Sequence, residues 1–183
     1  MINRRFGTWR GAIRLGLSYA EVAGRLAATR HPSVSDVRRL VFVCHGNICR
    51  SAFAEALARQ AGCNVASFGL STSSGKPAHP EVMAVAEARG LDLSGHRTTA
   101  VEDFQPLVGD YLLGMEVRHL RKLAASERFG QLPRGLLGSY AGFPMPHLHD
   151  PYGLDAGYME TCLTRIQDAV SRLCRAFPNA KPA

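Results

Sequence analysis

From residue 39 onward, short apolar runs alternate with stretches whose apolar residues recur every three or four positions, and no other feature of the chain narrows its fold as far. Strands separated by helices are joined by crossovers, which places them in a parallel sheet covered by helices. Arg39–Cys44 reads as the first strand. Ser51–Ala61 reads as a helix with Phe53, Ala54, Leu57 and Ala58 on one face and Gly62 as its stop. Val65–Phe68 is a second strand, and "HPEVMAVAEARG" is a helix opened by Pro80 and ended by Gly90. "DYLLGM" from Asp110 is a buried third strand leading to a helix around Val117–Ala125. "GLLGSY" near Leu136 is a fourth strand, and Ala156–Phe177 closes the chain with Met159, Leu163, Ile166, Val170 and Leu173 inward. The class is α/β.

The chain has 183 residues, 46% of them apolar, enough for one well-buried core and too few for two ordinary domains. No run approaches the roughly 18 apolar residues of a spanning helix. The five cysteines (44, 49, 63, 162 and 174) are odd in number and scattered, which suits a reducing compartment. The opening "MINRRFGTWRGAIRLGLSYAEVAGRLA" begins like a signal peptide, but Arg14, Glu21 and Arg25 interrupt its apolar stretch, so a cytoplasmic location is expected.

The net charge is +7, and residues 1–39 carry +6 of it, as eight arginines against Glu21 and Asp36. A nearly neutral body, with few aromatics among the basic residues, argues against nucleic-acid binding. Residues 1–38 therefore read as a basic, helical N-terminal extension, 39–177 as the α/β domain and 178–183 as a tail. Trp9, Ile13, Leu17 and Ala20 recur at helical spacing beside Arg10 and Arg14. That pattern suits either a cover packed on the domain or an arm docking on a membrane surface or a protein.

The chemistry concentrates where the first strand meets the first helix, in "CHGNICRS" at 44–51. A tight loop between a strand and a helix N-terminus aims several backbone N–H groups at one point and forms an oxyanion nest. Arg50 adds a planar fork matched to two phosphate oxygens. Gly46 and Asn47 are residues for which a left-handed backbone costs little. A thiol at Cys44 facing that nest is in the setting that makes cysteine a nucleophile. Ser51 can hydrogen-bond to the sulfur and also cap the helix. The loop is not the nucleotide-binding GxxxxGK[ST] pattern, and Cys44, His45 and Cys49 have no zinc-ligand spacing. The Pro- and Gly-rich stretch "SYAGFPMPHLHDPYGLD" is too long for a plain connector, and loops of that length inside a compact domain are usually functional or disordered.

"VFVCHGNICRS" resembles the signature of the low-molecular-weight protein tyrosine phosphatases: Cys, five residues, Arg, Ser. "SFGLST" at 67–72, "GKPAHPE" at 75–81, "GLDLSGHR" at 90–97, "YLLGME" at 111–116 and "HDPYG" at 149–153 resemble further family features in order. The resemblance covers about residues 39–177. It implies a four-stranded parallel sheet flanked by helices, with Cys44 as nucleophile, Arg50 binding the transferred phosphoryl group and Asp150 as general acid and then base. The loop of His45, Gly46, Asn47, Ile48, Cys49, Arg50 and Ser51 would bind phosphate. Asn47, Ser51, Ser67 and His96 would hold that loop in shape, and His45 and Tyr152 would wall the cleft. Neither metal nor cofactor is called for, since the nest and Arg50 supply the positive field. Cys49 would pair reversibly with Cys44 as a redox guard.

Three positions depart from the family pattern: His45, Ala52 after the Ser, and Glu116 in place of a frequent Asp. The partner implied is a tyrosine-phosphorylated protein, with relatives suggesting a bacterial tyrosine kinase of polysaccharide export. Arsenate reduction and non-catalytic phosphate binding remain as alternatives. A thioredoxin-coupled thiol relay would need cysteines closer to one another in sequence than Cys63, Cys162 and Cys174 are.

Overall fold

A computed structural model describes residues 2–182. Within it, β1 (Arg39–Cys44), β2 (Val65–Gly69), β3 (Asp110–Gly114) and β4 (Arg134–Leu136) form one sheet in the order β2-β1-β3-β4, and every pairing is parallel. Six helices are described: α1 (Ile2–Phe6), α2 (Trp9–Ala23), α3 (Arg50–Gln60), α4 (Pro80–Glu87), α5 (Val117–Ala124) and α6 (Ala156–Ala176).

The unbroken apolar character of β1 is explained by its two covered faces. Leu40, Phe42 and Cys44 point into one core with residues of α3, α4 and α6, while Val41 and Val43 point into a second core with α5. A strand buried on both sides has no solvent face on which to place polar residues. Leu40 sits between Val65 of β2 and Tyr111 of β3, which sets the register of the sheet centre. The strand order reverses between β1 and β3. A crevice therefore opens beyond their C-terminal ends, the usual ligand site of such sheets. Cys44 ends β1, and Glu116 lies just past β3.

Both sheet edges are covered. Gly69 bridges to Ala100 beyond β2, and Arg30 bridges antiparallel to Arg134 of β4 with N–H···O distances of 2.9 and 2.8 Å. The expected fourth strand is only three residues long. The rest of "GLLGSY" forms a 3-10 turn over Leu137–Tyr140. Gly138 explains the bend, since a Cβ there would lie 1.9 Å from the Met145 carbonyl oxygen, where the long loop returns.

The N-terminal helices form as expected, but the stripe named from the sequence is not the face that packs. Gly7, Gly11, Leu15 and Ser18 are buried, whereas Trp9, Ile13 and Leu17 are 61, 53 and 59% exposed. Close approach selects the small residues: a Cβ on Gly7 would meet the His149 ring at 2.7 Å. Past α6 the chain turns back, so that Ala180 is fully buried and its carbonyl accepts the Asn64 N–H.

Candidate active site

The loop after β1 is closed by its own polar side chains. Asn47 is buried with φ 55°, and its amide makes three bonds: Nδ2 donates to Ser51 Oγ (2.9 Å) and Ser67 Oγ (2.7 Å), and Oδ1 accepts the Thr99 N–H (2.8 Å). His96 Nε2 donates to the Asn47 carbonyl at 2.7 Å. Ser67 in turn donates to Glu55 at 2.5 Å. The left-handed turn falls on Asn47 alone. Gly46 keeps an ordinary φ and a Cβ there would meet only Ile48, which corrects the expectation for that residue.

Cys44 Sγ sits at the mouth of this loop, 3.2 Å from the Asn47 N–H and 3.0 Å from Ser51 Oγ. Both are donors that a thiolate can accept from. Ser51 does not cap α3. The helix starts one residue earlier than expected, at Arg50, with Cys49 as its uncapped N-cap. Capping and sulfur contact are incompatible here, because the Ser51 hydroxyl is committed to Cys44 and Asn47. The Cys49 side chain is buried in the core, and burial, followed by the nearby Asp150 and Cys44, pushes its thiol well above the ordinary range. Both Cys44 and Cys49 are free thiols. His45 is exposed on the rim.

Arg50 is almost fully buried, and it links three segments of the chain. Nη1 donates to Glu116 Oε1 at 2.7 Å and to the Leu148 carbonyl at 2.8 Å, while Nη2 lies 2.5 Å from Asp150 Oδ2. Burial acts against its charge, but Asp150 and Glu116 outweigh it and hold the guanidinium ionised. Burial likewise opposes charge on Glu116, and Arg50 prevails, keeping that carboxyl well below the usual range. Among the described residues, Arg50 Nε has no hydrogen-bond acceptor, and Nη2 meets Asp150 as an ion pair without hydrogen-bond geometry. These two atoms are the parallel edge of the guanidinium, the one that grips two oxygens of a tetrahedral anion.

Asp150 is carried by residues 141–155, the loop before α6. His147 Nε2 and His149 Nδ1 lie 3.3 Å apart, and His147 Nδ1 is 3.7 Å from Glu116 Oε2. Burial lowers His147 to about 4 and His119 to about 3, although Glu116 acts in the opposite direction, so both rings are neutral at pH 7. Tyr152 is 59% exposed and meets the His79 ring edge-on, with centroids 5.2 Å apart. Among the described residues no three His, Cys, Asp or Glu side chains converge as metal ligands.

The structure thus brings Cys44, Arg50 and Asp150 to one crevice and sets Asn47, Ser51, Ser67 and His96 around the loop. Glu116, Thr99, Glu55 and His147 were not assigned these contacts from the sequence. Glu116 had the clearest signal, as an acid just past a buried central strand whose neighbour carries the thiol.

A protein-family profile described as "Low molecular weight phosphotyrosine protein phosphatase" matches residues 39–182. The chain belongs to that family. It is 37% identical over 143 residues to the low molecular weight protein-tyrosine-phosphatase Wzb of Salmonella typhimurium, covering 76% of this chain and 93% of that protein. It is 34% identical over 138 residues to a Ralstonia solanacearum protein named "Probable low molecular weight protein-tyrosine-phosphatase EpsP", covering 73% and 92%. Among solved structures, the tyrosine phosphatase Wzb of Escherichia coli K30, in complex with sulphate, superposes with a TM-score of 0.64 at 27% identity, over 76% of this phosphatase and 97% of that chain. The Erwinia amylovora tyrosine phosphatase amsI gives 0.63 at 27%, over 77% and 93%.

Proposed function

We propose that this phosphatase hydrolyses phosphotyrosine in proteins through a phosphocysteine intermediate. The supporting observation is Arg50: one buried guanidinium is anchored by Glu116 and Leu148 at Nη1, touches the Asp150 carboxylate at Nη2 as an ion pair only, and makes no hydrogen bond along its Nε–Nη2 edge. A phosphoryl group gripped by that edge exchanges places with the Asp150 carboxylate at Nη2 and leaves Asp150 free to reach the leaving oxygen.

In the first half-reaction the Cys44 thiolate attacks phosphorus, the S–P bond forms, the P–O bond to tyrosine breaks, and Asp150 gives its proton to the leaving phenolate. In the second, water gives a proton to Asp150 and its oxygen attacks phosphorus. The S–P bond then breaks, releasing inorganic phosphate and the thiolate. Main-chain donors and Arg50 hold the charge that develops on the equatorial oxygens. His45 and Tyr152 border the aryl group at the rim. The substrate in mind is a phosphorylated bacterial tyrosine kinase of polysaccharide export in the cytoplasm, and the catalytic unit spans 39–177.

Acid-quenching the purified protein during turnover of an aryl phosphate should trap phosphate on Cys44, located by mass spectrometry. Cys44→Ser should lose turnover by several orders of magnitude while still binding inorganic phosphate. Turnover without a trapped phosphocysteine, or arsenate reduction with added thiols outpacing phosphate release, would overturn this reading.

A further inference from the structure

The side of α2 that the domain leaves uncovered is its apolar side. At 100° per residue Trp9, Ile13, Gly16, Leu17, Ala20 and Ala23 share one face, opposite the packed Gly11, Leu15 and Ser18. An ordinary surface helix has the reverse pattern, with polar residues outward. Leu26, just past the helix, is a further exposed apolar residue at 66% accessibility. Arg10 and Arg14 line one margin of the face and Arg25 follows its C-terminal end, all exposed, and the exposed Arg4 and Arg5 precede it in the chain on α1.

Between residues 2 and 26 the only carboxylate is Glu21, and Arg121 engages it at 2.7 Å. The patch is thus an apolar strip about 20 Å long with cations around it. The indole N–H of Trp9 is its one polar side-chain group. A protein partner of this area would normally be met with several hydrogen bonds. A bilayer asks for none. It takes up the apolar strip at the acyl boundary and meets the arginines with anionic headgroups. Among the described residues no helix is long and apolar enough to cross a membrane, so the helix would lie in the interface plane.

We propose that the outward face of α2, which packs on the domain through Gly11, Leu15 and Ser18, docks this phosphatase on anionic phospholipid surfaces. Trp9 is the chain's only tryptophan, so its fluorescence reports the contact directly.

The test mixes the full-length protein with vesicles containing phosphatidylglycerol and, separately, with vesicles of phosphatidylcholine alone. The expected result is a blue shift of Trp9 emission and co-sedimentation with the anionic vesicles, both weakened by added salt. The double variant Ile13→Asp with Leu17→Asp should lower partitioning by about tenfold or more. So should Arg10→Glu with Arg14→Glu. Both should keep wild-type turnover of a small aryl phosphate, which verifies folding. Equal binding to both vesicle types, no binding to either, or partitioning that survives the aspartates would overturn the proposal. So would an emission already blue-shifted in a concentration-dependent dimer, which would assign the face to a second copy of the chain.

Discussion

The anion loop at 44–51 and the acid loop at 141–155 meet at one guanidinium, yet they are held there by different means. The anion loop is closed by a buried amide that bonds to Ser51, Ser67 and Thr99, with one backbone N–H on Sγ. The acid loop is fastened at scattered points by other elements. Leu148 N–H donates to Met115 after β3, Gly142 N–H to Asp168 of α6, Tyr158 of α6 to the His149 carbonyl, and Tyr19 of α2 to the Pro144 carbonyl. Its tip residues Phe143 and Tyr152 stand in solvent. A segment with few bonds of its own moves at low cost, whereas a buried polar network has a single shape. Anion binding requires fixed geometry. In the mechanism proposed above, the acid has to leave Arg50 when phosphate arrives and then return a proton.

The largest effect expected on the tethered side is that of Asp150→Asn. Losing general-acid catalysis costs about 10² to 10⁴ in rate. The loss should be greatest for aryl phosphates with poor leaving groups and smallest for those whose phenolate leaves unaided. A uniform loss across a leaving-group series would remove Asp150 from the acid role.

On the rigid side the corresponding probe is Asn47→Ala. It leaves the Ser51 and Ser67 hydroxyl oxygens short of a buried donor and the Thr99 N–H short of an acceptor, and forces alanine into φ 55°, together worth about 3–5 kcal/mol of stability. Asn47→Gly loses the same bonds without the strain, so it should recover about 1 kcal/mol of that loss in urea titrations. Equal stability for Ala and Gly would mean that the left-handed turn is not a cost the loop carries.

The same contrast explains what could be read in advance. Cys44, Arg50, Asn47 and Ser51 lie within eight consecutive residues, so local order alone announces an anion loop. The strands were legible because burial on both faces leaves an unmistakable apolar run. Glu116, Thr99 and Glu55 act across 66, 52 and 12 positions of sequence, respectively, and no local pattern pairs an arginine or an amide with such a partner. The extension was legible as a helix but not in its orientation. Periodicity finds the apolar stripe, whereas the side that packs was chosen by the glycines that fit against His149.

Acidification should separate the loops further. The unfolded chain protonates His147 near its ordinary 6.5, and the folded chain resists down to about 4 because the ring is buried. Stability therefore falls as pH drops through that window and levels off beneath it, a change of about 3 kcal/mol from this ring. His119, lowered to about 3, acts in the same direction. The amide and hydroxyls that close the anion loop do not titrate there. Melting temperature against pH should drop between 6.5 and 4, and His147→Gln should flatten the slope. An unchanged slope in that variant would place the proton uptake elsewhere.

The mildest perturbation is Tyr19→Phe, which removes a single hydroxyl from the exposed contact with Pro144, made at 2.5 Å. A half-exposed neutral hydrogen bond is worth about 1 kcal/mol, so global stability should hardly change. If the acid loop is held from outside, however, its local opening should become more frequent. Hydrogen exchange should then speed up several-fold at residues 142–149 while residues 44–51 keep their protection. Faster exchange in both loops would mean that they open as one unit, and the distinction between a self-closed loop and a tethered one would fail.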